Sequence, residues 1–74
     1  MSDAVFYLVI VHINGEKREI AAGLSVAQML QELGIPPRRV VVEINRDVLS
    51  HDAHEATFLK EGDMVEIVQF VGGG

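Results

Sequence analysis

Cysteine is absent from all 74 residues, which removes disulfide bridges, thiolate zinc sites and cysteine nucleophiles together. Any core must hold without covalent staples. No apolar run approaches the roughly 18 to 20 residues of a membrane span. The most apolar stretch, residues 6–11, is too short and runs into polar residues. The N-terminus also lacks the positively charged opening of a signal peptide, so a cytosolic protein with no membrane partner is expected. Basic side chains are in the minority, 6 against 11 acidic for a net charge of −5. That balance argues against nucleic acid as a partner and favours proteins with a basic face.

What is present is the composition of a folded chain, because 49% of residues are hydrophobic and an ordinary 23% are charged. The length allows one domain. A chain this short buries only about 60% of the surface its unfolded form exposes, so a thin core and no deep substrate cavity are expected. Both points weigh against a self-sufficient enzyme.

Residues 5–13 form a β-branched and aromatic run without Gly or Pro, at strand length. Asn14-Gly15 then supplies the positive φ angles of a type I′ turn, so residues 17–20 should return antiparallel to the first strand. After the loop 21–23, the segment 24–34 carries helix-boundary signals at both ends. Ser25 caps the first turn, Gln28 completes a capping box, and Leu24 with Met29 is spaced for a hydrophobic staple. Val26, Met29, Leu30 and Leu33 recur on one face, Gly34 suits a left-handed C-cap, and Pro36-Pro37 prevents continuation. A third strand is expected over 40–44, a turn over 45–47 and a short returning strand at Val48-Leu49. A polar, irregular stretch follows over 50–57. Phe58 and Leu59 are both expected to drop into the core before a turn at 60–63, and a last strand over 64–71 leads into Gly72, Gly73 and Gly74.

Hairpin, helix, strand, short strand and strand make an α+β pattern of the β-grasp, or ubiquitin-like, kind: a mixed sheet of four to five strands with one main helix packed on one face. The division expected is a domain over 1–71 and a flexible glycine tail over 72–74. With a single helix, the opposite sheet face has no cover of its own.

Parity along the last strand places Val65, Ile67 and Gln69 on one face and Met64, Glu66, Val68 and Phe70 on the other. Val65 and Ile67 are read as core residues of a small domain. The other set makes an apolar patch beside the tail, and for Phe70 and Val71 packing and docking both remain open. Three consecutive glycines contribute no side chain to a core and cost entropy if ordered, whereas without Cβ atoms they can thread a narrow channel. A carboxylate at their end is ionised and unreactive in water, and another protein must activate it. A bare glycine run also fits a featureless tail.

The chain resembles the ThiS branch of the ThiS/MoaD sulfur-carrier proteins over nearly its whole length. The resemblance rests on Ile13-Asn14-Gly15-Glu16, on Ser25-Val26 with Leu30 and Leu33, on Val42-Glu43-Ile44-Asn45, and on the segment 59–63. Most specific is Val65-Glu66-Ile67-Val68-Gln69-Phe70-Val71-Gly72-Gly73-Gly74. What the resemblance implies is a protein cosubstrate, monomeric when free and without a bound cofactor. The carboxylate of Gly74 would be adenylated by an E1-like adenylyltransferase that uses ATP. It would then be converted to a thiocarboxylate with sulfur from a donor such as a cysteine desulfurase, and thiazole synthase would consume that sulfur in thiamine biosynthesis. Met64, Val68, Phe70, Val71, Gly72 and Gly73 would meet these partners. A small molybdopterin-synthase subunit, a plain ubiquitin-like interaction module and an isopeptide-forming modifier are the alternatives. Gly72 is one glycine more than a Gly-Gly end requires, and residues 1–4 extend the N-terminus.

Two further clusters are read blandly. His51-Asp52-Ala53-His54-Glu55 is expected to be a solvated loop rather than a metal site, and Arg38-Arg39 with Arg46 is read as surface charge.

Overall fold

A computed structural model describes residues 7–69. Strands β1 (Leu8–Ile13) and β2 (Glu16–Ala21) form the opening hairpin, paired from Leu8 with Ala21 to Ile13 with Glu16. Asn14 and Gly15 between them have φ of 50° and 83°, the two positive values a type I′ turn requires. β1 therefore starts later than the expected 5–13, with residues 5 and 6 outside the described residues, and β2 gains a residue at each end of 17–20.

Helix α1 (Val26–Leu33) begins as its sequence dictates. The Gln28 N–H donates to Ser25 Oγ at 3.1 Å and the Ser25 N–H donates to Gln28 Oε1 at 2.9 Å, a complete capping box. Gly34 ends it at φ 71°, and its N–H donates to the Gln31 and Leu30 carbonyls. Pro37–Arg39 makes a single 3-10 turn that turns the chain into β3 (Val40–Ile44).

The turn after β3 is only two residues long. Asp47 pairs with Ile44, so it belongs to β4 (Asp47–Leu49) and not to the turn. Asn45 and Arg46 take φ of 51° and 76°, giving a second type I′ turn on a sequence without glycine. The stretch 50–57 is also less irregular than its composition implies, since His51–Ala53 forms a 3-10 turn. The last strand, β5 (Met64–Gln69), completes a sheet in the order β2-β1-β5-β3-β4, with β1 and β5 parallel and every other pair antiparallel.

One sheet face and one helix face make the core. Val11, Ile13, Val40, Val42 and Val65 from the sheet pack with Val26, Met29, Leu30 and Leu59, and Ile20, Leu33, Ile44, Leu49 and Ile67 close its margin. Phe58 is not among them. It is 54% exposed while Leu59 is 3% exposed, because successive residues of an extended segment point to opposite sides. Ser25 bridges to Phe58, and the Leu59 N–H donates to the Leu24 carbonyl at 2.9 Å, which turns Leu59 inward and leaves Phe58 outside beside Gln28 and Gln31.

Candidate functional site

β5 is the strand that runs toward the glycines, and it lies in the middle of the sheet between β1 and β3. Its pairing with β1 is brief, only His12 with Met64 and Ile13 with Val65, because β1 ends there in the Asn14-Gly15 turn. The Asn14 side chain takes over where the backbone leaves. Its Oδ1 accepts from the Ile67 N–H at 2.7 Å, and its Nδ2 donates to the Ile67 carbonyl at 3.3 Å. The Asn14 N–H also donates to the Val65 carbonyl at 2.8 Å.

Asn45 holds the start of the same strand from the other side. Its N–H donates to the Met64 carbonyl at 2.8 Å, and its Oδ1 accepts from the Met64 N–H at 2.9 Å. Its Nδ2 donates to Asp63 Oδ1 at 3.1 Å, and the other Asp63 oxygen accepts from the Lys60 N–H at 2.8 Å. Two turn asparagines thus hold β5 along both edges. Asn14 and Asn45 were legible as turn residues, but their grip on β5 was not, because nothing local in sequence indicates a bond across so long a stretch of chain.

The parity of β5 is as expected. Val65 is buried and Ile67 packs against the core, whereas Met64 and Val68 are 53% and 47% exposed on the face away from α1. On that face Val68 sits opposite Val41, Met64 beside His12, and Glu66 opposite Glu43, which in turn faces Val48 on β4. The patch is therefore apolar with two carboxylates in its middle. Of the residues expected to meet partners, Met64 and Val68 share this surface, and Phe70, Val71, Gly72, Gly73 and Gly74 lie outside the described residues.

The histidine cluster differs from its expectation. His51 is exposed, but His54 is 3% exposed, so the segment is not simply a solvated loop. The His54 carbonyl accepts from the Ala27 N–H in the first turn of α1 at 3.0 Å, which draws the residue under the helix. Its Nε2 is buried with no partner, and its ring meets the His51 ring edge-on at 5.2 Å. Burial first, and the neighbouring His51 second, lower its pKa from the usual histidine value. Among the described residues no group of three or more His, Cys, Asp or Glu side chains could hold a metal, and no helix is long and apolar enough to cross a membrane.

With this geometry in hand, the likeness to known proteins can be placed. A thiamine biosynthesis protein (ThiS) from Geobacter metallireducens superimposes with a TM-score of 0.78 at 36% identity, over 89% of this chain and 100% of that one. A thiazole synthase from Magnetococcus marinus is 41% identical over 64 residues, and one from Paramagnetospirillum magneticum is 40% identical over 62. These cover 86% and 84% of this chain but 20% and 19% of theirs, so the chain spans about a fifth of the length of those relatives. The model of the ThiS family matches residues 11–74, from the middle of β1 through the central strand and the closing glycines, and with a five-stranded mixed sheet carrying one helix the chain belongs to that family.

Proposed function

We propose that this protein is a sulfur carrier for thiamine biosynthesis, working through the α-carboxylate of Gly74. The observation that carries the reading is that the family match runs unbroken through β5 and all three glycines. The names of the most similar proteins, a thiamine biosynthesis protein and two thiazole synthases, agree with it.

The chemistry follows from what a carboxylate lacks. As an anion with a poor leaving group it resists attack in water. In the first step one of its oxygens attacks the α-phosphorus of ATP in an E1-like adenylyltransferase, and pyrophosphate departs. A sulfur nucleophile, supplied by a donor such as a cysteine desulfurase, then attacks the acyl carbon and expels AMP. Release from the donor leaves a thiocarboxylate, whose sulfur thiazole synthase takes into the thiazole. This chain binds no cofactor in that cycle, and ATP belongs to the activating enzyme.

The domain, residues 1–71, supplies recognition, and the tail, 72–74, supplies reach. Met64 and Val68 contribute apolar surface, Phe70 and Val71 extend it, and Gly72 and Gly73 carry the terminus into a channel too narrow for side chains. A cytosolic location and a free monomer belong to the same reading. The test is intact-mass measurement after incubation with an E1-like adenylyltransferase, ATP and a sulfur donor. Replacement of one oxygen by sulfur at the terminus is expected, and an unchanged mass beside an enzyme that charges another carrier overturns the reading.

A further inference from the structure

The pairing of β3 with β5 sets Glu43 directly opposite Glu66, on the sheet face that α1 leaves bare. Like charges facing each other across an antiparallel pair destabilise a sheet. Nothing within the domain offsets them: the only ion pair among the described residues joins Arg18 to Glu16 at 3.8 Å. Arg46 shares a depression of about 430 Å³ with Glu43, Asn45, Met64 and Glu66 but reaches neither carboxylate. Glu43 is half-buried as well, with Val48 opposite it on the next strand. Around the two acids stand exposed apolar groups, Val48 at 69%, Met64 at 53% and Val68 at 47%.

An apolar ring around an uncompensated anionic pair fits one kind of surface, apolar with a cation at its centre. Two adjacent carboxylates present several acceptor oxygens in a small space. A guanidinium, with five donors in a planar fork, can bond both at once, which an ammonium does less well. A second copy of this chain does not fit, because a two-fold interface here would gather four carboxylates. The same charge disfavours phosphate-bearing surfaces.

We propose that this face docks on the body of a thiazole synthase, which seats an arginine between Glu43 and Glu66. The inference rests on the carrier reading above and adds the chemistry of its partner. A synthase is the occupant favoured because, in the two thiazole synthases similar to this chain, the matching segment is about a fifth of a longer polypeptide. Joined that way, the two surfaces meet at high effective concentration. The arginine relieves a repulsion present in the free carrier, and a partner without it would bury two unpaired charges. Because Glu66 lies on the strand that continues toward residues 72–74, seating it also fixes where the tail enters the synthase.

Glu43→Gln, Glu66→Gln and the double variant test this by titration calorimetry against the thiazole synthase of the same organism, at low and high salt, alongside thermal unfolding of the free carrier. Each single substitution is expected to weaken binding at least about tenfold, and the double variant to lose most of the salt dependence. The free carrier should melt at the same temperature or higher, since a repulsion has been removed, so weaker binding cannot come from misfolding. A double variant that binds within about twofold of the unmodified chain, or an unmodified chain that dimerises through this face, overturns the proposal. If the unmodified chain binds no synthase yet accepts sulfur, this inference falls and the carrier reading stands. If it accepts no sulfur, the carrier reading falls.

Discussion

Asn14 and Ile67, separated by 53 positions in sequence, are joined by two hydrogen bonds between one side-chain amide and one backbone unit. The side chain imitates the next rung of a ladder that β1 cannot supply, having ended one residue earlier. Closure of the parallel β1–β5 seam therefore depends on a residue whose local task is to make a turn.

Replacing Asn14 with Ala removes both bonds and places a Cβ-bearing residue without a local hydrogen bond at φ 50°. Together these should cost about 2 to 3 kcal/mol. Asn14→Gly keeps the turn and loses only the bonds, at about 1 to 2 kcal/mol. Urea titrations of the two variants separate the contributions, and hydrogen exchange at the Ile67 amide should accelerate in both. Equal stability of Asn14→Ala and the unmodified chain would show that the seam closes without the side chain.

The second turn carries strain that the first avoids. Arg46 sits at φ 76°, where glycine is the favoured residue of a two-residue hairpin loop. Arg46→Gly should raise stability by about 0.5 to 1 kcal/mol, the relief of the left-handed conformation less the entropy glycine gains when unfolded. A lowered melting temperature would show that Arg46 contributes more through its side chain than its backbone costs.

Element order, the capping box and the Asn14-Gly15 turn were legible because each is written in adjacent residues: Ser25 with Gln28, Gly34 before two prolines, asparagine before glycine. Parity along β5 was legible for the same reason, so the exposure of Met64 and Val68 followed from strand geometry alone. What was not legible depends on pairing. Glu43 and Glu66 stand 23 positions apart, and only the register of β3 against β5 makes them neighbours. The burial of His54 arises from its carbonyl meeting the first turn of α1, a contact no local pattern encodes. Phe58 and Leu59 were misjudged as a pair because hydrophobicity was weighed without alternation.

That error has a measurable form. Leu59→Ala should cost about 2 to 4 kcal/mol, the usual penalty for truncating a buried leucine, whereas Phe58→Ser should change stability by less than about 1 kcal/mol. Comparable losses in thermal unfolding would mean that Phe58 packs against the helix after all.

Burial of His54 predicts a pH dependence with a definite sign. Its pKa in the folded chain lies below the usual 6.5, so as pH falls below that value the unfolded chain takes up a proton more readily than the folded one. The histidine's contribution is complete above about pH 6.5 and is lost as pH drops toward the lowered folded pKa. Stability measured by urea unfolding should decline between about pH 7 and pH 5, and His54→Leu should flatten that decline. An unchanged slope in the variant would assign the effect to other groups.

Gly74 separates function from folding most sharply. Its removal deletes no side chain, and the core residues run only from Val11 to Val65 with Ile67 at the margin, so the melting temperature should move by no more than about 1 °C. Sulfur acceptance should nevertheless disappear, because the shortened tail would hold its carboxylate one residue, about 3.5 Å, short of the reacting atoms. Adding an alanine after Gly74 should have the same outcome by the opposite displacement. Intact mass after the charging reaction reads both variants. A thiocarboxylate formed on the shortened or the lengthened chain would show that the activating enzyme does not measure the distance from the domain to the terminus, and the role assigned here to the glycine run would be wrong.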